Sequence, residues 1–132
     1  MKLSQKQSDF LWMVHDLLTY TKQIVNDPDT GTGIYIKITE WNRTKETQAE
    51  YVRKGVSSTM NSKHLVGLAV DFAVMRDGQF LKNSIVYLLM GIYWEKIGGT
   101  WGGRWTVPKD PYHFEYNEKK RQEYLAKKYL QD

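Results

Sequence analysis

The 132-residue sequence reads as an α+β fold, a small antiparallel sheet flanked by helices. Three observations carry that reading. Helical and two-residue apolar periods are mixed along the chain, without the regular βαβ rhythm of a parallel sheet. No linker, internal repeat or low-complexity stretch divides it. With 41% hydrophobic and 14% aromatic residues, the chain has the material for one core, so a single domain over residues 1–132 is expected.

Each element has its own signal. Ser4 reads as a helix N-cap with Gln7 three residues on, and Phe10, Val14, Leu17, Leu18 and Ile24 recur at helical spacing, predicting a helix over 5–25. Residues 26–33 are dense in turn formers and predict a loop. Ile34, Ile36 and Ile38 alternate with polar residues as in a half-buried strand. A short helix is expected over 45–54, ended by Gly55. The polar segment 57–64 has no period. Leu68 to Met75 reads as a buried strand, and Asp77-Gly78 as a type I′ turn into a short strand at 79–81. Asn83 is the expected cap of a helix over 84–96. Residues 97–104 are rich in Gly and Trp, 112–116 alternate like a strand, and 118–130 close the chain as a charged helix.

Composition excludes several classes. The absence of cysteine removes disulfide scaffolds, thiolate zinc fingers and cysteine nucleophiles. No run approaches the roughly 20 apolar residues that span a bilayer, so no stable membrane insertion is expected. The N-terminal residues show no signal-peptide pattern, which points to a cytoplasmic start. The formal net charge of +4 is a mild cationic bias towards polyanions in general. Gly31-x-Gly33 precedes a strand and opens no helix, so it is not a phosphate loop. No nucleophile elbow or RNA-binding signature is present, and no nucleic-acid partner is expected.

Three histidines remain, at 15, 64 and 113. His15 lies near the apolar face of the first helix and reads as a half-buried, hydrogen-bonded histidine. Asp71 ends an apolar run, where a core residue would otherwise stand, and burying a carboxylate is costly unless it is paired or holds a cation. Two neutral imidazoles and one carboxylate, His64, His113 and Asp71, make a catalytic zinc triad with a fourth position open for water. The bland alternative pairs Asp71 with a nearby Arg or a turn and packs His113 on aromatics. Trp101, Trp105, Tyr112 and Phe114 read equally as cleft floor or as core. The basic run Lys119-Lys120-Arg121, with Lys127-Lys128, reads as a solvated helix face.

Residues Ser62 to Asp71 fit S-x-H-x-x-G-x-A-x-D, the signature of the zinc LD/DD-peptidases of bacterial cell walls, which the chain resembles. Trp101-Gly102-Gly103-x-Trp105 followed by Asp110-x-x-His113-Phe114-Glu115 looks like the second signature of that family's phage branch. Arg43-Thr44 and Gln48 stand where the family usually has an arginine-serine pair and a glutamine. The match runs in order over almost the whole chain. One departure is the family's longer Gly-rich stretch before the first motif, replaced here by residues 56–61.

The resemblance implies a DD-peptidase/hedgehog-like single domain that binds Zn2+ through His64, Asp71 and His113. It makes Asp110 the general base and Arg43 the group that steadies the substrate carbonyl, with Ser62 and Gln48 lining the cleft; of the aromatics, Trp101 and Tyr112 are the expected substrate contacts. Glu115, two residues after His113, points to the same strand face and competes with Asp110 on geometry; the family pattern leaves it a partner of an imidazole or of Arg43. The implied activity is hydrolysis of a stem-peptide amide bond in bacterial peptidoglycan, L-Ala–D-Glu foremost, by a monomeric phage endolysin held in the host cytoplasm until release. The alternatives are a D-Ala–D-Ala carboxypeptidase or dipeptidase and a catalytically silent wall-binding module.

Overall fold

The computed structural model describes residues 1–57 and 59–130; Ser58, within the aperiodic polar segment, lies outside them. Helix α1 (Leu3–Val25) turns Phe10, Met13, Val14, Leu17, Thr21 and Ile24 inward at three- and four-residue intervals. It starts two residues earlier than Ser4 suggests, with Lys2 at the cap position. The Lys2 backbone N–H donates to Gln5 Oε1 at 2.8 Å, so Gln5 rather than Gln7 closes the first turn. Strand β1 (Ile34–Glu40), helix α2 (Lys45–Arg53), strand β2 (Ala69–Arg76) and strand β3 (Gln79–Phe80) follow where the periods put them. Asp77 and Gly78 both have positive φ, as a type I′ turn requires.

Helix α3 (Ile85–Lys96) is capped by Ser84, whose hydroxyl accepts from the Val86 N–H at 3.2 Å; Asn83 stands one residue too early. The Gly- and Trp-rich stretch hides a short strand, β4 (Thr100–Trp101), which no alternation announced. Strand β5 (His113–Glu115) and helix α4 (Glu118–Leu130) complete the chain.

The sheet is antiparallel, in the order β1-β2-β5-β4, with β3 beside the far end of β2. Its two faces differ in chemistry because side chains alternate along each strand. Val70, Phe72, Val74 and Phe114 face α1 and α3 and join Phe10, Leu17, Met90 and Trp94 in the core. The Trp94 indole N–H reaches both the Thr100 and Glu115 carbonyls at 3.1 Å, fastening β4 and β5 to α3. The opposite face carries Asp71 and His113, directly across from each other in register. Asp71 therefore does not stand in the core, as its apolar flanks suggest; alternation turns it away.

Arg121 departs from the solvated-face expectation for α4. Its side chain is buried, with Nε and Nη2 donating to the two Asp9 oxygens at 3.0 and 3.1 Å and Nη1 to the Ile97 carbonyl at 2.8 Å. The Tyr116 hydroxyl adds a bond to Asp9 at 2.8 Å, so one carboxylate joins α1, α4 and the end of β5. Removing one partner of such a pair strands the other charge. Asp9→Ala is expected to cost about 3 kcal/mol in urea unfolding, against less than about 0.5 for an exposed control such as Lys119→Ala. Equal midpoints for the two variants would contradict it. Lys119, Lys120, Lys127 and Lys128 are exposed, as expected for a solvated face.

Candidate metal and active site

The first motif folds as its residue types require. Ser62 precedes a 3₁₀ turn, Lys63–Val66, and its hydroxyl accepts the His64 N–H at 3.2 Å. Gly67 ends the turn in the left-handed region, φ +67°, where a Cβ would also sit 2.9 Å from Asn42 Oδ1. Ala69 is fully buried at the start of β2, and Asp71 follows two residues on. The second motif approaches from β4 and β5. Gly102 passes so close to this loop that a Cβ would lie 2.3 Å from the Asp110 carbonyl, and the Asp110 N–H donates to the Gly102 carbonyl at 3.0 Å.

His64, Asp71 and His113 can each present one ligand atom, all within 4.8 Å of one another. The ring contacts decide which atoms. His64 Nδ1 lies 2.9 Å from the Trp41 carbonyl, which only accepts, so the proton sits there and Nε2 presents a lone pair. That Nε2 is buried and makes no hydrogen bond, although Asp71 Oδ2 stands 3.3 Å away and Glu40 Oε1 3.9 Å. A lone pair facing carboxylate oxygens is repulsive, and a cation between them would relieve it. His113 Nδ1 is 3.0 Å from Asp71 Oδ1, and its Nε2 donates to Glu115 Oε1 at 2.8 Å. A second carboxylate thus orients the imidazole from behind, the usual arrangement behind a zinc-binding histidine.

The electrostatics agree. The cleft above the triad, about 520 Å³, is lined by four carboxylates (Glu40, Asp71, Asp110, Glu115) against two cations, Arg43 and Lys63. With both histidines neutral, two negative charges remain, which suits a divalent ion. Burial alone would raise the Asp71 carboxyl, but the bond from His113 and the neighbouring His64 imidazole hold it at about 2. Burial would likewise lower the His113 imidazole, yet Asp71 and Glu115 lift it to about 9. Burial opposes ionisation of Glu115 too, and His113 and Lys63 nonetheless hold it below the ordinary carboxylate range. Asp110 goes the other way. Burial and then the charge of Asp71 push it up, making it the more basic carboxylate.

The other expected residues divide. Arg43 and Ser62 line the cleft. Arg43 pairs with Glu40, and the pair is largely buried: the side chains are 9% and 19% exposed. Gln48 does not line the cleft. It is fully buried, accepts from Arg43 Nη1 at 2.7 Å and donates to Ser57 Oγ at 3.0 Å and to the Thr59 carbonyl, bridging Arg43 to Ser57 and Thr59.

Trp101 and Tyr112 do not line it either. Trp101 is buried against Gly91 and Gly103 and donates to the Pro111 carbonyl at 2.8 Å. Tyr112 packs on Phe80 and Tyr87 and bonds the Lys82 carbonyl. Of the four aromatics weighed as cleft floor, only Trp105 reaches the cleft, its ring 5.0 Å from that of His113, while Phe114 is core. His15 is 63% exposed beside Asp16, not half-buried. Glu40, Tyr51 and Lys63 line the cleft without having been singled out.

Comparison with known proteins agrees with this geometry. The family model described as D-alanyl-D-alanine carboxypeptidase, of the peptidase M15 group, matches residues 55–116, the span holding both motifs. The L-alanyl-D-glutamate peptidase of Listeria phage A118 is 38% identical over 97 residues, 70% of this chain and 34% of that protein. The chain thus spans about a third of that relative's length. Among solved structures, the Serratia marcescens L-Ala D-Glu endopeptidase ChiX is 26% identical with a TM-score of 0.67, over 85% of this chain and 80% of its own. The D,D-pentapeptidase VanY of a VanB-type resistance cassette, solved as an E175A mutant with Zn(II), shares the fold at 22% identity and a TM-score of 0.54, over 92% of this chain and 82% of its own. Motif order, sheet topology and ligand geometry lead to one family, the M15 peptidases, whose model matches the chain over the span that holds both motifs.

Proposed function

We propose that this chain is a zinc-dependent peptidase that hydrolyses an amide bond in the stem peptide of bacterial peptidoglycan, L-Ala–D-Glu foremost, and acts as a phage endolysin. The observation that carries the chemistry is the unpartnered His64 Nε2 facing Asp71 at the base of the cleft. The choice of substrate is supported by the names of the phage peptidase and of ChiX. No helix among the described residues is long and apolar enough to cross a membrane. A monomer that meets the wall from the cytoplasmic side, without a nucleic-acid partner, belongs to the same reading.

Zinc held by His64, Asp71 and His113 would supply Lewis acidity towards a carbonyl and lower a water pKa to about 7. Asp110 takes one proton from the attacking water as the C–O bond forms, and returns it to the nitrogen as the C–N bond breaks. Arg43, permanently charged on the cleft wall, faces the negative charge that develops on the carbonyl oxygen. Glu115, itself held by Lys63 Nζ at 3.1 Å, keeps the His113 ring in place.

Mass spectrometry of chemically defined wall peptides, digested with and without chelator, tests the reading. Chelator-sensitive products ending in L-Ala and beginning with D-Glu are expected. Release of terminal D-Ala would move the activity to the carboxypeptidase alternative, and zinc-loaded protein that binds walls without any product would leave a silent wall-binding module. Arg43→Lys keeps the charge but not the planar fork. It is expected to stay folded and zinc-loaded while turnover falls about 10²–10³-fold, the loss typical of one oxyanion donor. A wild-type rate would leave Arg43 only its salt bridge.

A further inference from the structure

The geometry points to Glu40 as the positioning residue that aims Arg43, an inference that rests on the peptidase reading above. Its place in the sheet is irregular. Along β1, Ile34, Ile36 and Ile38 pair with Arg76, Val74 and Phe72 of β2, and a residue two beyond Ile38 would continue on their face, opposite Val70. A bulge between Ile38 and Glu40 instead sets Glu40 opposite Asp71. The extra residue rotates Glu40 from the core face to the cleft face, as bulges beside functional sites do. Glu40, Asp71 and His113 then form one row across three adjacent strands.

Two carboxylates directly opposite on neighbouring strands repel each other, so Glu40 needs compensation. It has it on both oxygens. Arg43 Nη2 donates to Oε1, and the Tyr51 hydroxyl donates to Oε2 at 3.1 Å. The guanidinium is thereby held on all sides. Glu40 holds one edge, Gln48 and Ser62 receive Nη1 at 2.7 and 3.4 Å, and the Tyr51 ring lies 4.6 Å from Cζ. Arg43 Nε is buried without a partner, so only this grip fixes the rotation of the fork. The Arg43 N–H also donates to the His64 carbonyl at 3.0 Å, tying the held arginine to the metal-binding turn. Both Glu40 oxygens are thus already engaged by this chain's own donors.

The test uses zinc-loaded protein and two readouts. In ¹⁵N-labelled wild type, Arg43 Nε–H should give a sharp, slowly exchanging resonance, identified by its absence from Arg43→Lys. In Glu40→Gln one of the two acceptors becomes a donor, and that resonance should exchange at least about tenfold faster with zinc content unchanged. Turnover on the wall peptide should fall about 10–100-fold with KM changed less than about threefold. In an Arg43→Ala background the same change should cost less than about threefold more, because its effect passes through Arg43. An unchanged resonance, lost zinc or multiplying effects would overturn the assignment. Should Glu40→Gln unfold, Glu40→Asp keeps the charge, shortens the reach and should show the same ordering. If wild type cleaves no wall peptide, the peptidase reading fails, while the resonance still decides whether Glu40 holds Arg43.

Discussion

His113→Ala is expected to lose its zinc and all measurable wall lysis together. On the proposed reading His113 offers Nδ1, 3.0 Å from Asp71 Oδ1, as one of three ligand atoms, and Glu115 holds the ring from Nε2. Alanine removes the ligand and also leaves Asp71 and Glu115 without the imidazole that separates them. Metal analysis after dialysis should drop from about one zinc per chain to near zero, with circular dichroism still showing the folded protein. His64→Ala should behave alike and also leave the Trp41 carbonyl without its partner, costing about 1–3 kcal/mol. The zinc competes with a proton. Asp71 and Glu115 hold the His113 imidazole up at about 9, so zinc affinity should weaken steadily as pH falls below that value. Full lysis by metal-free His113→Ala, or affinity that does not change with pH, would remove His113 from the ligand set.

The zinc triad could be read from the sequence because its spacing has a local cause: a capped turn, one left-handed glycine, one small buried residue and a strand that alternates. Each has a residue type that announces it, Ser62, Gly67, Ala69 and Asp71. The main helices were legible for the same reason. What was lost lies where a residue's direction depends on a neighbouring strand. Strict alternation puts Glu40 with the core-facing isoleucines, and only the register slip against β2 turns it to the cleft. Trp101 and Tyr112 carry the aromatic signal of a binding wall, yet their polar ends bond the Pro111 and Lys82 carbonyls, partners that no local pattern reveals. Gln48 is polar and fully buried because Arg43, Ser57 and Thr59 satisfy its amide, which composition alone would place on a surface. Arg121 misled for a similar reason, its partner Asp9 being 112 residues away.

Asp110→Asn is expected to keep its zinc and its fold while turnover falls about 10²–10⁴-fold, and Glu115→Gln is expected to do the reverse. In sequence the two carboxylates compete as catalytic base, since Glu115 shares a strand face with His113 and Asp110 lies in a loop. Their surroundings separate them. Glu115 has both oxygens engaged, by His113 Nε2 at 2.8 Å and Lys63 Nζ at 3.1 Å, and those contacts hold it below the ordinary carboxylate range. A carboxylate so occupied is a poor proton acceptor. Asp110 lines the cleft with no side-chain cation paired to it among the described residues, and burial with the Asp71 charge raises its pKa. Its backbone is fixed by Gly102 and its carboxylate is steadied only by the Tyr112 backbone N–H, a weaker hold than the two side-chain contacts on Glu115. An amide at 110 keeps the shape but cannot carry the water's proton. At 115 the amide oxygen can still accept from His113, but Lys63 loses its counter-charge and the imidazole its anionic support. Zinc affinity of Glu115→Gln should therefore weaken about 10–100-fold, with activity largely restored at saturating zinc. Single-turnover rates on a wall peptide, measured beside zinc titrations of both variants, separate the two roles. Turnover lost in Glu115→Gln at full zinc occupancy, with Asp110→Asn still active, would make Glu115 the base and leave Asp110 a wall of the cleft.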